Sequence, residues 1–552
     1  MIQYKEIDGL LLREMAMAGS ALLEKNREVV DALNVFPVPD GDTGTNMSLT
    51  MQSAIREINS KEFLRADEAA AALAKGALKG ARGNSGVITS QLLRGFSRSL
   101  AGVEKITPVQ FANALKAGAE LAYKAVMKPK EGTILTVARV IAEDALKQVQ
   151  KTPDDYDALF NTILTSGEAI LKQTPEMLPV LKQAGVVDSG GRGLMFIYTG
   201  YAAVLRGEDI NSIASPEEEV NGEPEEQDVL AEAKFAYSVE YVLKNLTDDC
   251  TEGDIDALRR RLNRIGDHVS LNAADNGTYK ARVQTDNPGN AIQYAIELGE
   301  LVDVKVENLL EMKRALEAEN APAVEEEAAP AEPAKDFGMV AVSLGEGFSQ
   351  IFRDLTVDYI VEGGQTMNPS IEDILGAINK VNANCVFVFP NNGNVILAAQ
   401  QAAELAEKEV HVVPTKNVAM GIAAAVAFQP DISGEENAQR MDEAAQRVKT
   451  GTVTYAVRDS EYNGVQIKQG DIIGLHNGKI EYSGSNIHDV VNEMMKAVVT
   501  EVDELITVYY GAETTEADAE AMTAEIAEQY PDCDVECHMG GQPLYYYLIS
   551  VE

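Results

Sequence analysis

The residues best placed to do chemistry gather between Asn34 and Met47, in the run NVFPVPDGDTGTNM. Pro37 and Pro39 keep the backbone out of a helix, and Gly41 and Gly44 let it turn tightly, so this is a loop joining two helices. It carries two carboxylates close together, Asp40 and Asp42, with Asn34, Thr43 and Asn46 as neutral partners. Hard oxygen ligands with room left for water and phosphate are what Mg²⁺ asks for at a nucleotide site. An Asx-rich turn that caps the following helix would use the same residues, so the loop alone leaves both readings open.

Three further polar islands bear on that choice. Gly80-Ala-Arg82-Gly83-Asn84-Ser85-Gly86 is a glycine-rich loop leading into the apolar helix VITSQLLRGF. Helix N–H groups behind close-approaching glycines make a phosphate cradle, although the sequence is neither a Walker A motif nor GxGxxG and in isolation also fits a plain helix–helix turn. The others are Glu131-Gly-Thr133-Ile-Leu135-Thr136 and Asp188-Ser189-Gly190-Gly191-Arg192-Gly193. Four such islands in one segment favour a nucleotide site.

The elements that position them are helices. Ile7, Leu10, Leu11, Met15, Leu22, Leu23, Val29, Val30 and Leu33 recur at helical spacing, and the Ala-rich runs 66–81 and 111–127 continue the pattern, so residues 1–212 form an all-α domain. Two acidic spacers follow. Residues 216–228 carry seven acids and no base, and 317–335 carry six acids and one base. Neither stretch offers enough apolar surface to offset its ordering entropy, and Pro with like charges makes them extended. The resulting domains are 1–212, 233–314 and 336–552, joined by linkers 213–232 and 315–335. The middle domain reads βαββαβ, a ferredoxin-like order with a hairpin turn at Asp275-Asn276-Gly277. The last opens with MVAVSL, DYIVEGG, CVFVFP and VHVVP separated by helices, which implies a parallel sheet, and closes with a strand-rich stretch and a strand–helix–strand–strand unit.

At this point the motifs resemble a known family. NVFPVPDGDTGTNM, GARGNSGV, EGTILTVAR and DSGGRG look like the DhaL-type domain of dihydroxyacetone kinases, an eight-helix barrel that holds ATP through Mg²⁺. EGGQTMNPS (362–370), FPNNGNVILAA (389–399), VVPTKN (412–417) and the terminal GGQPLYYYLISVE look like the C-terminal domain of the ATP-binding component of bacterial fatty acid kinase. The middle domain is covered only by its order and pattern. The resemblance implies a multidomain fold: a DhaL-type helical barrel, a ferredoxin-like α+β domain and an α/β domain for carrier docking. It implies phosphorylation of a fatty acid carboxylate presented by a separate DegV-type fatty-acid-binding protein, giving acyl phosphate, by a homodimeric kinase. It also implies roles. Asp40 and Asp42 are catalytic and hold Mg²⁺ with Asn34. Thr43, Gly44, Asn46, Gly83, Asn84, Ser85 and Gly86 contact phosphates. Thr133, Leu135, Asp188, Ser189, Gly190 and Arg192 border the nucleotide.

A carboxylate acceptor also agrees with the residues themselves. All five His (268, 411, 476, 488, 538) lie beyond the first domain. A hydroxyl acceptor usually wants a base, whereas a fatty carboxylate is already ionised at pH 7. Catalysis then reduces to positioning and charge neutralisation, although an Asp can serve as base.

The sequence departs from the family in its middle domain, where members carry a Cys and a His-x-His that suit zinc. Strand alignment puts Ser238, Arg282 and Gln284 there, so no zinc is expected. This departure keeps a second hypothesis open, a nucleotide-binding scaffold or regulator without kinase activity. Cys533 and Cys537 are expected to share one face, and with His538 beside the second they are not expected to make a metal site. Arg259, Arg260, Arg261 and Arg264 are read as snorkelling surface arginines, with a docking face for an acidic partner or a dimer mate as the alternative.

Charge sets the remaining bounds. The 87 acids against 47 bases give −40, a surface that repels phosphate backbones and anionic headgroups, so nucleic acid is an unfavourable partner. ATP must then be held locally by Mg²⁺ and loop N–H groups, with Arg82, Arg94 and Arg192 as available cations. Four Cys and no apolar leader point to a reducing cytoplasm, and the apolar runs 193–205 and 417–428 fall short of the roughly 18–20 residues of a membrane span.

Overall fold

The computed structural model describes residues 2, 4–35, 41–208, 235–247, 252–274, 278–308, 334–364, 367–456, 460–462, 465–477 and 479–552. Asp40, most of both acidic linkers and the turn at 275–277 lie outside the described residues. The chain falls into two compact units, Met1–Glu217 with Glu332–Glu552, and Glu218–Ala331.

The first domain is helical throughout: α1 (Gly9–Lys25), α2 (Arg27–Ala32), α3 (Thr43–Ile58), α4 (Ala66–Lys79), α5 (Gly83–Ser99), α6 (Pro108–Ala125), α7 (Ile134–Lys151), α8 (Tyr156–Leu171), α9 (Thr174–Met177), α10 (Pro179–Ala184) and α11 (Ser189–Arg206). The starts are written in the sequence. Asp8 caps α1 by accepting from Leu11 N–H at 3.0 Å. Thr107 and Gln110 form a capping box at α6, with Pro108 at the first helical position. The long helices pack in a closed ring, α1–α3–α4–α5–α6–α7–α8–α11 and back to α1. Successive members joined by short loops run antiparallel, so alternate members of the ring start at the same end. The starts of α3, α5, α7 and α11 therefore belong to one mouth, and these are the four polar islands.

The ring is held by one continuous core in which Phe111 touches Phe96 and Phe160 at 5.2 Å between centroids, and Tyr156 donates its hydroxyl to the Ile106 carbonyl at 2.7 Å. Phe111 is fully buried, and truncating it to Ala would cost about 3–5 kcal/mol. No helix among the described residues is long and apolar enough to cross a membrane.

The second unit holds β1 (Tyr237–Lys244), α12 (Glu252–Ile265), β2 (Gly266–Ala274), β3 (Thr278–Thr285), α13 (Pro288–Ile296) and β4 (Glu300–Asn308). Its sheet order is β2-β3-β1-β4 with every pair antiparallel, which is the ferredoxin-like split βαβ arrangement. Val239, Tyr241, Leu243 and Val283 meet Leu258 and Leu262 of α12 in its core. Of the basic cluster, Arg259 donates to the Leu271 carbonyl at 2.8 Å and Arg261 pairs with Glu297 at 2.7 Å over the Tyr294 ring.

The last domain begins with β5 (Lys335–Ser343), α14 (Glu346–Asp354), β6 (Tyr359–Glu362), α15 (Ile371–Lys380), β7 (Ala383–Phe389), α16 (Ile396–Leu405), β8 (Glu409–Val412), α17 (Val418–Val426) and α18 (Gly434–Arg447). Lys335, which its composition assigns to the spacer, already opens β5 and donates its N–H to Asn382. β6-β5-β7-β8 is a four-stranded parallel sheet, as the near-continuous apolar runs require. A second, six-stranded sheet has the order β13-β12-β9-β16-β14-β15. It comprises β9 (Lys449–Tyr455), β12 (Ile472–His476), β13 (Lys479–Gly484), β14 (Leu505–Tyr510), β15 (Asp534–Met539) and β16 (Tyr545–Val551), while β10 (Ser460–Tyr462) and β11 (Val465–Ile467) pair with each other. Helices α19 (Ile487–Val498) and α20 (Glu516–Gln529) complete it. Cys533 and Cys537 share the face of β15 turned toward the core of this sheet, and Cys533 Sγ donates to the Asp503 carbonyl at 3.2 Å.

Candidate functional site

The four islands meet around Thr43, the first residue of α3. Ser189 Oγ donates to Thr43 Oγ1 at 3.2 Å, and Ser85 Oγ donates to the Thr43 carbonyl at 3.4 Å, so the starts of α11 and α5 touch the start of α3. The start of α7 joins through Asp188, whose carboxylate accepts from Gly191 N–H at 2.7 Å and from the Ile134 N–H. Each helix start presents partial positive charge, and four at one mouth offset the acidic background of the chain.

Capping decides what the carboxylates are free to do. Asp42 occupies the N-cap position of α3 but makes no side-chain capping bond. Asp31, at the end of α2, does that instead, accepting from Thr45 N–H at 3.1 Å and Thr45 Oγ1 at 2.9 Å, and from the Gly44 N–H. Burial holds the Asp31 carboxyl above its ordinary range, and the charge of Asp42 pushes the same way. Asp31 carries no motif, being one acid in a short helix, and nothing in the sequence singles it out. Because Asp31 serves as the cap, the simple Asx-turn explanation of Asp42 fails, and a hard oxygen donor stays available beside Thr43. Asn34 is buried next to this pair, with its N–H on the Asp31 carbonyl at 3.0 Å.

The start of α5 is arranged differently. Its N-cap residue is Arg82, whose side chain makes no capping bond to the helix among the described residues. Gly83 has φ +57°, and a Cβ there would lie 2.5 Å from Asn46 Nδ2, so glycine is required both by the backbone and by the approach of α3. Gly86 is equally close to Thr50. The N–H groups of residues 83–85 thus form the part of the mouth best suited to receive phosphate oxygens.

Other expected residues settle into supporting positions. Thr133 is the N-cap residue of α7, with its hydroxyl donating to the Lys130 carbonyl at 2.8 Å. Leu135 packs its side chain into the ring core. Gly190 abuts the Ile134 side chain. Thr136 Oγ1 donates to Glu131 at 2.7 Å, and Arg139 pairs with the same carboxylate at 2.9 Å, closing the third loop on itself. Arg192 pairs with Glu168 at 2.7 Å and lies over Phe196, while burial depresses the Arg94 guanidinium below its usual range. An apolar pocket inside the ring, bounded by Leu12, Phe96, Phe111 and Tyr201 among others, shares no residue with the four starts.

The site's remaining wall comes from the last domain, for which the motifs imply docking alone. Asn368 Nδ2 donates to Asp42 Oδ2 at 2.6 Å and lies 3.4 Å from Asn46 Oδ1, and its carbonyl accepts from Arg82 at 2.9 Å. Asn84 Nδ2 donates to Asn394 Oδ1 at 2.8 Å, and Gln91 donates to Gln401 at 2.7 Å. Ile371 N–H bonds the Ala81 carbonyl, and Ala81 and Val87 sit in one apolar cluster with Ile371, Ile374 and Ala398. Arg82, expected as a phosphate cation, is instead turned to Asn368 and to Asp373 at 3.4 Å. Asn368 is 2 % exposed and its Oδ1 has no hydrogen-bond partner among the described residues, so an oxygen acceptor is held within the site beside Asp42.

In the second unit, the positions compared with zinc ligands are cross-strand neighbours. Ser238 lies opposite Gln284, both buried, and Arg282 lies opposite Glu240 and pairs with it at 3.0 Å. A hydroxyl, an amide and an ion-paired guanidinium do not make a zinc ligand set.

Comparison with known proteins agrees with this layout. A DAK2 domain model matches residues 37–203, and the FakA-like middle-domain and C-terminal models of fatty acid kinase match 234–316 and 338–552. The chain is 42% identical over 555 residues to protein YloV of Bacillus subtilis, covering 99% of this chain and 100% of that protein. It is 40% identical over 559 residues to an uncharacterized protein of Staphylococcus saprophyticus, with 99% and 100% coverage. Among solved structures, a DegV family protein from Ruminococcus gnavus aligns with a TM-score of 0.31 at 13% identity, over 39% of this chain and 99% of that one. The dihydroxyacetone kinase of C. freundii aligns with a TM-score of 0.26 at 15% identity, over 37% and 36%.

Proposed function

This chain belongs to the FakA-like family of fatty acid kinase proteins, and from that premise we propose that it is the kinase that phosphorylates the carboxylate of a fatty acid presented by a separate DegV-type fatty-acid-binding protein, using ATP and yielding acyl phosphate and ADP. The observation that carries this reading is the gathering of four helix starts on Thr43, with the N–H groups of 83–85 left uncapped by the Arg82 side chain among the described residues. Such a mouth suits a polyphosphate in a chain of net charge −40.

The donor set supports Mg²⁺. Asp42 is relieved of capping by Asp31, and with Asp40 and Asn34 it would hold the ion, which supplies charge neutralisation for the phosphates. Backbone N–H groups of α5 and the hydroxyls of Thr43, Ser85 and Ser189 orient the phosphoryl chain. The acceptor carboxylate attacks the γ-phosphorus through one oxygen, the bond from phosphorus to the β,γ-bridging oxygen breaks, and ADP departs with that electron pair. No proton need be removed from the acceptor at neutral pH, which agrees with a first domain that contains no His. Asn368 and Asn394 make the last domain part of the site, so carrier docking on that domain would be sensed at Asp42 and Asn84. We propose that the chain acts as a homodimer.

The test is direct. The full chain, ATP, Mg²⁺, oleate and a loaded carrier should form a product that hydroxylamine traps as a hydroxamate, and Asp42→Ala should abolish it. ATP binding by a folded chain with no product would leave the alternative, a nucleotide-binding scaffold.

A further inference from the structure

A second group of chemically competent side chains lies in the parallel sheet of the last domain, apart from the four helix starts. β7 and β8 pair so that Cys385 lies opposite Glu409 and Phe387 opposite His411. Side chains alternate along a strand, so Cys385, Glu409 and His411 stand on one face of the sheet. A thiol sulfur, a carboxylate oxygen and an imidazole nitrogen are thereby brought within 4.8 Å of one another.

The start of α18 supplies the opposing wall. A Cβ built on Gly434 would lie 3.0 Å from Cys385 Sγ, 3.0 Å from Glu409 Oε1 and 3.3 Å from His411 Nε2, so all three ligand atoms surround one point that only a glycine leaves open. The backbone gives no reason for glycine there, because Gly434 is absent from the positive-φ positions and Ser433 already caps the helix through a capping box. The imidazole is held in place: its ring stacks on Phe387 at 5.8 Å between centroids, and Nε2 is 2.7 Å from Glu409 Oε1. Cys385 is buried, His411 is half-buried and Glu409 is exposed, so the cluster opens to solvent on one side.

We propose that Cys385, Glu409 and His411 form a site for a divalent transition metal of the zinc class, with the fourth position left to water or an exchangeable ligand. A mixed sulfur, nitrogen and oxygen set selects Zn²⁺ or Co²⁺ over Mg²⁺ and Ca²⁺, which take oxygen ligands. Metal–ligand bonds of roughly 2.0–2.3 Å imply ligand separations of about 3.3–3.8 Å in a tetrahedral site, which the cluster reaches by small side-chain rotations. Three protein ligands with one open position is also the pattern of zinc sites that keep an exchangeable partner. The site shares no residue with the nucleotide mouth and does not depend on the kinase reading.

The probe is Co²⁺, titrated into the full-length chain after chelator treatment. One equivalent should produce a thiolate-to-cobalt charge-transfer band, and Zn²⁺ should remove it by competition. Cys385→Ser should lose the band, whereas a Cys533→Ser/Cys537→Ser double variant should keep it. Glu409→Gln, a change at an exposed position, should weaken Co²⁺ binding about tenfold with the fold intact by circular dichroism, on the scale typical of disturbed metal sites. This second variant decides the matter if Cys385→Ser does not fold. No band in the parent chain, a band that survives Cys385→Ser, or Co²⁺ affinity unchanged by Glu409→Gln would overturn the assignment.

Discussion

Asn368 donates its side-chain amide to Asp42 across 326 residues of sequence, at 2.6 Å, and the two residues come from different domains of the chain. The contact fixes the carboxylate proposed to hold metal by a group that reports where the last domain sits. Replacing that donor should change the metal site in opposite ways by charge. In Asn368→Asp a second carboxylate would face Asp42, and the added charge and oxygen ligand favour a divalent ion between them, so the Mg²⁺ concentration for half-maximal phosphoryl transfer is expected to fall. In Asn368→Ala, which only removes the group that orients Asp42, it is expected to rise severalfold. An unchanged Mg²⁺ titration in both variants would remove Asn368 from the site.

Asp31 separates structural from chemical use of a carboxylate. It caps α3 while Asp42 does not. Asp31→Ala should therefore destabilise the chain by about 1–2 kcal/mol, the range for losing an N-cap. Asp31→Asn keeps an acceptor and should lose less. Denaturant unfolding of the two variants beside the parent checks the order, and equal stability of all three would contradict the capping role.

Gly83 stands where α5 meets α3. With φ at +57° and a Cβ 2.5 Å from Asn46 Nδ2, Gly83→Ala should strain the backbone by about 1–2 kcal/mol and push Asn46 out of place. Nucleotide affinity should fall along with stability. Calorimetric titration of ATP into Gly83→Ala, showing parent affinity, would count against the phosphate cradle.

The carboxyl of Asp188 is pushed up to about 7 by burial, against the opposing pull of N–H groups from Gly191 and Ile134. An unfolded Asp titrates near 3.8, so between these values the native state holds a proton that the unfolded state has lost. Its contribution to stability therefore declines as pH rises from about 4 to about 7 and is level above that. Asp188→Asn does not titrate, and its unfolding midpoint should improve relative to the parent as pH climbs through this window. Parallel pH profiles for parent and variant would show that Asp188 is ionised throughout.

The helix starts were legible in the sequence because each is built of residues with local jobs: Gly, Ser, Thr and Asp at Thr43, Gly83 and Asp188 serve turns and caps wherever they occur. The ferredoxin-like order of the second unit and the parallel sheet of the last domain were legible for the same reason, through periodicity. What stayed hidden depends on pairing across distance. Asp31 looks like any acid of a short helix until Thr45 folds back upon it. Asn368 and Asn394 sit in motifs of the last domain, and only the packing of Ile371 and Ile374 on Ala81 and Val87 brings them to the mouth. Arg82 and Arg192 read as cations for phosphate, but each found a carboxylate closer at hand, Asp373 and Glu168. Cys385 and His411 are 26 residues apart, and strand register alone puts them on one face.

If the four helix starts bind ATP with a divalent ion held at Asp42, affinity for the nucleotide depends on that ion. Calorimetric titration of ATP into the full-length chain, with Mg²⁺ and again with excess EDTA, tests it most directly, with Asp42→Asn run in parallel. Binding is expected with Mg²⁺, with a loss of at least tenfold in affinity without it and a variant that responds little to the ion. Equal affinity in Mg²⁺ and EDTA, unchanged by Asp42→Asn, would contradict it.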